Sequence, residues 1–362
     1  MTGLPTLSTT PRADINLDAL CRNYEALKTL APAAETSAVV KCDAYGLGMI
    51  PVAKALAERT DCRIFFVAYA QEGAELRAAL NPVLPDAQIY VFNGPTPDTV
   101  DIFDDAMLTP VINSQAQAEL WTRQEPRRPV ALHIDTGMNR LGAPISEVEQ
   151  LAAAANFSVD LVMSHLAWGA DPAHPMNKEQ KLAFESIIDK FPNARASLSA
   201  SAGILMGPPY HYDVTRPGVA LYGGSPFGRD EHRVEPVVTL TAPVIQLRDL
   251  KAGESVGYNA TFVASKPMRV ATLAYGYGDG FPVSGSNKAS VYFHGEIAPI
   301  AGRVSMDLIS IDVTDLRKRP SLGDRVEFFG PNNRLFETAS ACGTASYEIL
   351  TRLGGRVDRR YL

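Results

Sequence analysis

The sequence predicts an α/β protein in which an N-terminal (β/α)8 TIM-type barrel is followed by a mainly β C-terminal domain. First, short apolar runs alternate with helical patterns about eight times between residues 37 and 215, as in a (β/α)8 barrel. Second, after Gly228 the pattern changes to strand-like segments separated by closely spaced glycine turns. Third, 362 residues suffice for one large domain and one smaller domain. An open doubly wound sheet is the main alternative for the first part, but such sheets usually have fewer strands.

These patterns divide the chain into two predicted domains. We expect the barrel to cover residues 1–232 and the mainly β domain to cover residues 233–362, with the boundary within residues 229–235. A short alternating segment at residues 13–17 precedes the barrel strands and is a candidate to pair with the C-terminal domain.

The individual elements follow from local patterns. Residues 20–30 carry apolar side chains on one helical face, and Pro32 ends that helix. The predicted barrel strands are residues 37–40, 64–67, 89–92, 108–111, 130–134, 161–164, 196–199 and 213–215. Helices are predicted at residues 51–56, 71–80, 97–104, 114–123, 146–155, 178–190 and 201–206. The C-terminal strands are predicted at residues 237–247, 269–274, 289–293, 297–300, 308–313 and 325–329, with one helix at residues 340–353.

Lys41 stands in an unusual position, directly after the first predicted barrel strand and before a turn that contains Gly46 and Gly48. A buried amine is hard to keep charged, so its pKa falls and it becomes a nucleophile. Such an amine can form an imine with an aldehyde, which is the anchoring chemistry of pyridoxal phosphate (PLP). This stretch alone fits equally well a lysine that caps the strand and points into water.

Other polar residues stand at the ends of predicted strands, where the sites of such barrels gather. These residues are Arg140, His165, Ser201 and Arg216. Barrel closure makes the first and last strands neighbours, so Lys41 and Arg216 should come close in space. Taken singly, His165 is more often a core histidine, and either arginine more often forms a surface ion pair. Only their occurrence together, in this order, favours a site.

A phosphate-binding position is predicted beside the last strand. The backbone amides of Ser201, at the start of a helix, and of Gly218 and Val219 suit a phosphate, and barrels often bind phosphate there. No GxxxxGK[ST] loop and no HExxH motif occur, and the GYGDG stretch from Gly276 does not match a dinucleotide loop.

Composition excludes several functional classes. The net charge of −6 offers no basic surface for nucleic acid or anionic membranes, and no apolar run approaches the roughly 20 residues of a membrane span. The N-terminus lacks the apolar region of a secretory signal, and the cysteines have no metal-ligand spacing. We therefore expect a cytoplasmic protein with reduced thiols and without a metal, nucleic-acid or membrane partner.

Seven motifs occur in one order along the chain. They are KCDAYGLG from Lys41, HIDTGMNRLG from His133, SH from Ser164, RPGVALYG from Arg216, VGYNAT from Val256, GYGDG from Gly276 and GRVSMD from Gly302. Their order and spacing, and the two-domain division, resemble those of bacterial alanine racemase, a fold-type III PLP enzyme, over essentially the whole chain. The resemblance implies interconversion of L-alanine and D-alanine, supply of D-alanine for peptidoglycan, and a head-to-tail homodimer with active sites at the subunit interface.

Position by position, the resemblance implies two catalytic bases. Lys41 would form the Schiff base with PLP and act as the base for the proton of D-alanine. Tyr258 of the partner subunit would act as the opposing base for L-alanine. Racemisation removes a proton from one face of Cα and delivers another to the opposite face, so two bases on opposite sides are the direct solution.

The resemblance also implies the cofactor and substrate contacts. The residues that would hold the phosphate are Tyr45, Ser201, Gly218, Val219 and Tyr347. Arg140 would bond the PLP phenolic oxygen and orient the substrate carboxylate, which the backbone amide of Met306 of the partner subunit would also bind. His165 would stack near the ring and connect Arg216 to Tyr258, while Arg216 would face the pyridine nitrogen. Supporting positions would be Tyr277, Arg303 and Asp307.

The chain departs from the family pattern at three places. His133 occupies the position where many members have a lysine that becomes a carbamate and supports the arginine equivalent to Arg140, so carbamate support is not expected here. Ala200 stands where an asparagine usually precedes the phosphate-binding serine. Pro282 and Val283 replace an arginine-containing continuation of the GYxDG motif, at the expected substrate corridor. The support of Arg140, cofactor affinity and substrate access therefore stay open.

Three alternative functions remain. A racemase of broader specificity, for example for serine, is the first, although Leu141 resembles the alanine-specific members. A PLP-binding homeostasis protein without turnover is the second, but such proteins lack the β domain that carries Tyr258. A PLP-dependent decarboxylase is the third, and Arg216 disfavours it because an acidic residue is expected at that place.

Overall fold

The computed structural model describes residues 9–123, 128–154 and 157–362. The chain divides into two units. The barrel unit is Leu20–Leu221, and the β unit combines the residues up to Ala19 with Tyr222–Leu362. The N-terminal residues thus belong with the C-terminal part of the chain.

The first elements of the described residues are strand β1 (Arg12–Ile15) and helix α1 (Leu17–Leu30). The following strands are β2 (Glu35–Thr36), β3 (Ala38–Val39), β4 (Ile64–Val67), β5 (Gln88–Val91), β6 (Thr109–Ile112), β7 (Val130–Asp135), β8 (Ala143–Pro144), β9 (Val159–Met163), β10 (Arg195–Ser197) and β11 (Val214–Thr215). The helices among them are α2 (Lys41–Gly46), α3 (Met49–Arg59), α4 (Ala70–Leu80), α5 (Val100–Asp105), α6 (Gln115–Thr122), α7 (Val148–Ala154), α8 (Pro175–Ile188) and α9 (Ser201–Met206).

The barrel strands close into a ring. Seven strands pair in the order β3-β4-β5-β6-β7-β9-β10, and β11 pairs in parallel with β2. Just beyond β10 and β11, Ala200 forms a parallel bridge with Arg216. The Val39 amide donates to Pro217 O at 3.0 Å, so the first and last strands are neighbours. The predicted (β/α)8 barrel is confirmed, and an open sheet is excluded for these residues.

Burial explains why the barrel strands are visible in the sequence. All four residues of β4 are buried, because helices cover the outside of the ring and side chains fill its inside. Phe66 stacks on Tyr90 and on Phe92, with ring centroids 4.8 and 5.1 Å apart. Helix α9 has the predicted bounds, whereas the helix predicted to end at residue 155 is described only to Ala154, since residue 155 lies outside the described residues.

The β unit is mainly β, as predicted. Its further strands are β12 (Val238–Leu250), β13 (Ser255–Val256), β14 (Phe262–Val263), β15 (Met268–Leu273), β16 (Ser290–Phe293), β17 (Glu296–Pro299), β18 (Ile309–Asp312), β19 (Arg325–Phe329) and β20 (Asp358–Tyr361). The sheet runs β17-β16-β19-β12-β1-β20, and β15 links β12 to β18. The rings of Tyr275, Phe281 and Phe328 pack edge to face in its core.

The end of the β unit differs from the prediction. The single helix expected at residues 340–353 is two helices, α10 (Leu335–Ala341) and α11 (Ser346–Thr351). The break follows from Gly343, which has a φ of +68° and cannot continue a right-handed helix. In the part of the chain that the structure describes, no helix is long and apolar enough to cross a bilayer.

Candidate active site

Lys41 stands two residues after the end of β3 and is half-buried at the rim of the barrel unit. Its ammonium nitrogen lies 5.4 Å from the centroid of the Phe92 ring. Burial lowers the pKa of Lys41, and the positive charge of Arg140 lowers it further, while Glu72 acts in the opposite direction. These surroundings favour a neutral, nucleophilic amine over a lysine that points into water.

The short element α2 is not a regular right-handed helix, because the residues after Lys41 form a left-handed turn where the sequence predicted a turn based on its glycines. Cys42, Asp43, Ala44 and Tyr45 all have φ between 52° and 57°. Such a conformation costs about 1–2 kcal/mol for each residue with a Cβ, so other contacts must offset it.

Two carboxylates hold this turn in place. Glu72 on α4 accepts from the Cys42 amide at 2.6 Å with one oxygen and from the Ala68 amide at 2.8 Å with the other. Asp43 accepts from the Met49 amide at 2.7 Å, at the start of α3. The backbone on the C-terminal side of Lys41 is therefore tied to both following helices.

The segment after β7 carries Arg140. Asp135 accepts from the amides of Gly137 and Met138, each at 2.8 Å, which shapes the turn. Arg140 itself is exposed, and no carboxylate among the described residues pairs with it. Its charge nevertheless reaches into the rim, because it lowers the pKa of Lys41 and of His165.

His133, at the position of the first family departure, is a buried neutral imidazole. Its Nδ1 lies 2.9 Å from Oδ1 of Asn113. The Asn113 side-chain NH2 donates to Phe92 O at 3.0 Å and to Val111 O at 2.9 Å, so its oxygen must face the histidine. Nδ1 of His133 is therefore the donor, and Nε2 is left as an acceptor. Burial, with the charge of Arg216 as the next cause, lowers the pKa of His133 to about 4.

This pKa predicts a stability change with pH. Because the folded-state pKa lies below the ordinary 6.5, the stabilisation is complete above pH 6.5 and is lost as the pH falls towards 4. Between pH 7 and pH 5 the loss from His133 should be about 2 kcal/mol. We expect urea unfolding of a His133→Gln variant to depend less on pH than that of the wild type. A His232→Gln control, whose side chain is 87 % exposed, should behave like the wild type. Equal pH dependence in all three proteins would contradict the assignment.

Arg216 is buried, at 2 % exposure, with neutral partners only. Its guanidinium donates to Ser197 O at 2.8 Å and to Ser164 O at 2.6 Å. Burial lowers the pKa of Arg216 to about 9, which still leaves it charged at neutral pH. Burial and then Arg216 lower the pKa of His165 to about 3, so that imidazole is neutral. Among the described residues, the guanidinium bonds these two backbone oxygens and the Ser197 hydroxyl rather than His165.

A polar cradle lies beside the last barrel strand. The Ser201 hydroxyl oxygen accepts from the amides of Gly218, at 3.0 Å, and Ala220, at 3.1 Å. The Tyr45 hydroxyl lies so close to Gly218 that a Cβ at this glycine would overlap it. Val219 is buried between the two amides. The barrel unit thus brings together four of the residues expected at the phosphate, and the fifth, Tyr347, lies on α11 of the β unit.

These groups fit PLP. The cradle offers the hydroxyls of Ser201 and Tyr45 and the backbone of Val219 to a phosphate, and burial lowers the pKa of the Lys41 amine, which favours its reaction with an aldehyde. Arg216 is a buried cation that no carboxylate neutralises among the described residues, so an anionic group with a ring acceptor would balance it.

A second group of predicted residues lies on one surface of the β unit. The amide of Gly278 donates to Met306 O at 2.8 Å, and Arg356 bridges Asp279 and Asp307 at 2.8 and 2.7 Å. A Cβ on Gly257, next to Tyr258, would lie 3.5 Å from the Arg303 backbone. The side chains expected on the substrate side are exposed, and they are Tyr258 (67 %), Tyr277 (40 %) and Met306 (54 %).

The other two departures lie next to a barrel strand end and at a turn of the β unit. Ala200 acts through its backbone, which bridges to Arg216, and it precedes α9 without a capping side chain. Pro282 precedes a 3-10 turn at Val283–Gly285.

Sequence reasoning did not find three polar residues that organise the rim. Glu72 carried a usable signal, a glutamate three residues after the N-cap of a helix, which is a capping pattern. Asn113 follows strand β6 and so stands at a strand end. Gln180, in the middle of α8, carried no signal that separates it from a surface glutamine.

Comparisons with known proteins agree with this geometry. The family described as "Alanine racemase, N-terminal domain" matches residues 15–226, and "Alanine racemase, C-terminal domain" matches residues 237–361. An alanine racemase of Cereibacter sphaeroides is 44% identical over 349 residues, covering 96% of this chain and 97% of the relative. One of Rhodospirillum rubrum is 41% identical over 359 residues, covering 96% and 94%.

Solved structures give the same result. Alanine racemase from Bartonella henselae with covalently bound pyridoxal phosphate aligns with a TM-score of 0.90 at 36% identity, over 98% of this chain and 100% of that one. The biosynthetic alanine racemase from Pseudomonas aeruginosa aligns with a TM-score of 0.90 at 34% identity, over 98% and 100%.

Proposed function

The chain belongs to the alanine racemase family, and from this premise we propose that it interconverts L-alanine and D-alanine with PLP, using two bases. The family is PLP-dependent, and the chain is an enzyme of this family. The observation that carries the proposal is the barrel rim, where a half-buried amine, a polar cradle and a buried guanidinium lie on neighbouring strands.

PLP, when bound, supplies an electron sink that acidifies the Cα–H of an attached amino acid. Lys41 would bind the aldehyde carbon of PLP through its side-chain nitrogen. The phosphate would take the hydroxyls and amides of the cradle, together with Tyr347. Arg216 would donate to the pyridine nitrogen and, since a guanidinium keeps its proton, would leave that nitrogen unprotonated. A weaker electron sink makes long-lived carbanions, and hence transamination, less favourable.

Lys41 and Tyr258 of the partner subunit are the proposed bases. A tyrosine with a pKa near 10 is a poor base at neutral pH, and bringing it to about 7 requires roughly 4 kcal/mol of differential stabilisation. Arg140 and Arg216 can supply part of this through their positive charge. The 67 % exposure of Tyr258 in the single chain supports a role that begins only when another chain covers it.

The substrate carboxylate is the second proposed contact between chains. Arg140 is exposed and has no carboxylate partner among the described residues, so it is available to an anion. In the described part of the chain, the Met306 amide also has no hydrogen-bond acceptor. The pair, Arg140 and Met306 of the partner subunit, would bind the carboxylate from two sides.

The experiment that tests the function is a racemase assay on the PLP-loaded protein with L-alanine, L-serine and L-lysine, read by chiral chromatography. We expect rapid formation of D-alanine and slower reaction with the other two. Faster reaction with serine would favour the broader racemase. Bound PLP without racemisation of any amino acid would contradict the proposal and favour a homeostasis protein.

We further propose a head-to-tail homodimer, because Tyr258 and Met306 are exposed in the single chain and the family resemblance assigns both to the active site of the partner subunit. Dilution of the holoenzyme to monomers should then abolish activity. Light scattering and activity measured on the same dilution series test this, with a series at constant high concentration as the control. Full activity in a species shown to be monomeric would contradict it.

The place of the reaction in the cell is also a proposal. Membership of the alanine racemase family supports a cytoplasmic location. D-alanine formed there would supply peptidoglycan synthesis, as the family resemblance implies.

A further inference from the structure

Gln180 is a buried polar residue that joins two segments of the barrel rim. It lies on α8 and is 1 % exposed. Its side-chain oxygen accepts from the Ala167 amide at 2.8 Å. Its side-chain nitrogen donates to His165 O at 3.0 Å and to the Thr136 hydroxyl at 3.3 Å. One amide group therefore bonds the segment after β9 and the segment after β7 at the same time.

The same network continues to Arg216. The Thr136 and Ser164 hydroxyls lie 2.8 Å apart, and Ser164 O accepts from the Arg216 guanidinium at 2.6 Å. A Cβ on Gly137 would lie 3.7 Å from the Gln180 side chain, so the turn packs directly on it. The network thus reaches the segments that carry three residues of the site, which are Arg140, His165 and Arg216.

We propose that Gln180 is a positioning residue for the racemase reaction, which sets the Arg140 segment and the His165 segment at a fixed distance from each other. This proposal rests on the proposed function. Joining these two segments requires a side chain that donates and accepts hydrogen bonds at the same time. An amide does both, whereas an ionised carboxylate only accepts and a thioether does not donate. Because Gln180 is uncharged, it joins the two segments without adding a charge near Lys41, Arg140 and Arg216.

Asn177 supplies a matched control. It lies on the same helix, is also 1 % exposed, and donates to Trp168 O at 3.2 Å and to Asp171 O at 2.8 Å. These partners belong to the same loop after β9 as Ala167, but neither lies in the segment after β7, so Asn177 does not join the two segments. Loss of Asn177 should destabilise the loop without moving Arg140 against His165.

The test compares Gln180→Met and Asn177→Leu as holoenzymes, measuring kcat and KM for alanine, the pH–rate profile, PLP content and Tm. Methionine has nearly the length of glutamine but makes none of the three hydrogen bonds. We expect Gln180→Met to lose between about 10-fold and 100-fold in kcat/KM, with a raised KM and an altered pH profile, since misplacement of about 1 Å has effects of this size. Asn177→Leu should have the kcat, KM and pH profile of the wild type, although its Tm should fall by about as much as that of Gln180→Met.

Equal kinetics in the two variants, or an unchanged pH profile in Gln180→Met, would overturn the positioning role. If Gln180→Met does not fold, Thr136→Val decides, because it removes only the hydroxyl that links Gln180 to Ser164. A smaller change of the same kind in this variant supports the proposal, and wild-type kinetics overturn it. The wild type is measured first, so a failure of the proposed function appears as an inactive wild-type enzyme.

Discussion

Replacing Tyr258 with phenylalanine is expected to slow the conversion of L-alanine to D-alanine by about 10²–10⁴-fold while PLP stays bound. The substitution removes one hydroxyl from a side chain that is 67 % exposed in the single chain, so the fold should not change. Lys41 remains in the variant. It should therefore still exchange the Cα proton of D-alanine with solvent deuterium, whereas exchange from L-alanine should be lost.

Chiral chromatography measures the conversion, mass spectrometry measures the deuterium uptake, and absorbance measures the bound cofactor. Tyr69→Phe is the matched control, because Tyr69 is 59 % exposed and takes no proposed part in the reaction. Unchanged conversion in Tyr258→Phe would remove Tyr258 from the mechanism. Equal loss of deuterium exchange from L-alanine and D-alanine would show that Tyr258 does not act as the base on one face of Cα.

Lys41→Ala is expected to abolish racemisation, with a loss greater than roughly 10⁴-fold, because one substitution removes both the covalent hold on PLP and a catalytic base. The half-buried amine with a lowered pKa is the reason to expect the covalent bond at this residue. Borohydride reduction followed by mass spectrometry of peptides should find PLP on Lys41 in the wild type. It should find no labelled lysine in the variant.

The control for this experiment is Lys54→Met. Lys54 is also half-buried, and it lies on α3, just after the left-handed turn. This variant should keep both the label and the activity. Labelling of another lysine in wild-type protein would contradict the assignment of Lys41.

The fold could be predicted where local pattern and tertiary environment agree. Residues 64–67 are apolar throughout because β4 is buried on both faces, and α9 has the predicted bounds. Strand β20 could not be predicted, because its sequence DRRY is charged and its pairing with β1 depends on residues at the other end of the chain. The split between α10 and α11 depends on a single residue, Gly343.

The candidate site also has parts that the sequence predicts and parts that depend on tertiary contacts. The strand-end rule of barrels located Lys41 and Arg216, and chain closure brought their strands together. The left-handed turn after Lys41 could not be predicted, because four non-glycine residues adopt it and its support comes from Glu72, which lies on another helix. Gln180 was invisible for a related reason, since only its tertiary partners distinguish it from a surface glutamine.

A mixed dimer tests most directly whether one active site takes its two bases from two chains. Lys41→Ala and Tyr258→Phe proteins, each inactive alone, are mixed, dissociated, reassociated and assayed with alanine. In a mixed dimer one site then carries both substitutions, and the other carries neither. Shared sites therefore predict recovery of about a quarter of wild-type activity after random reassociation. No recovery, in a mixture shown by native mass spectrometry to contain mixed dimers, would contradict the proposal that Lys41 and Tyr258 of the partner subunit act together.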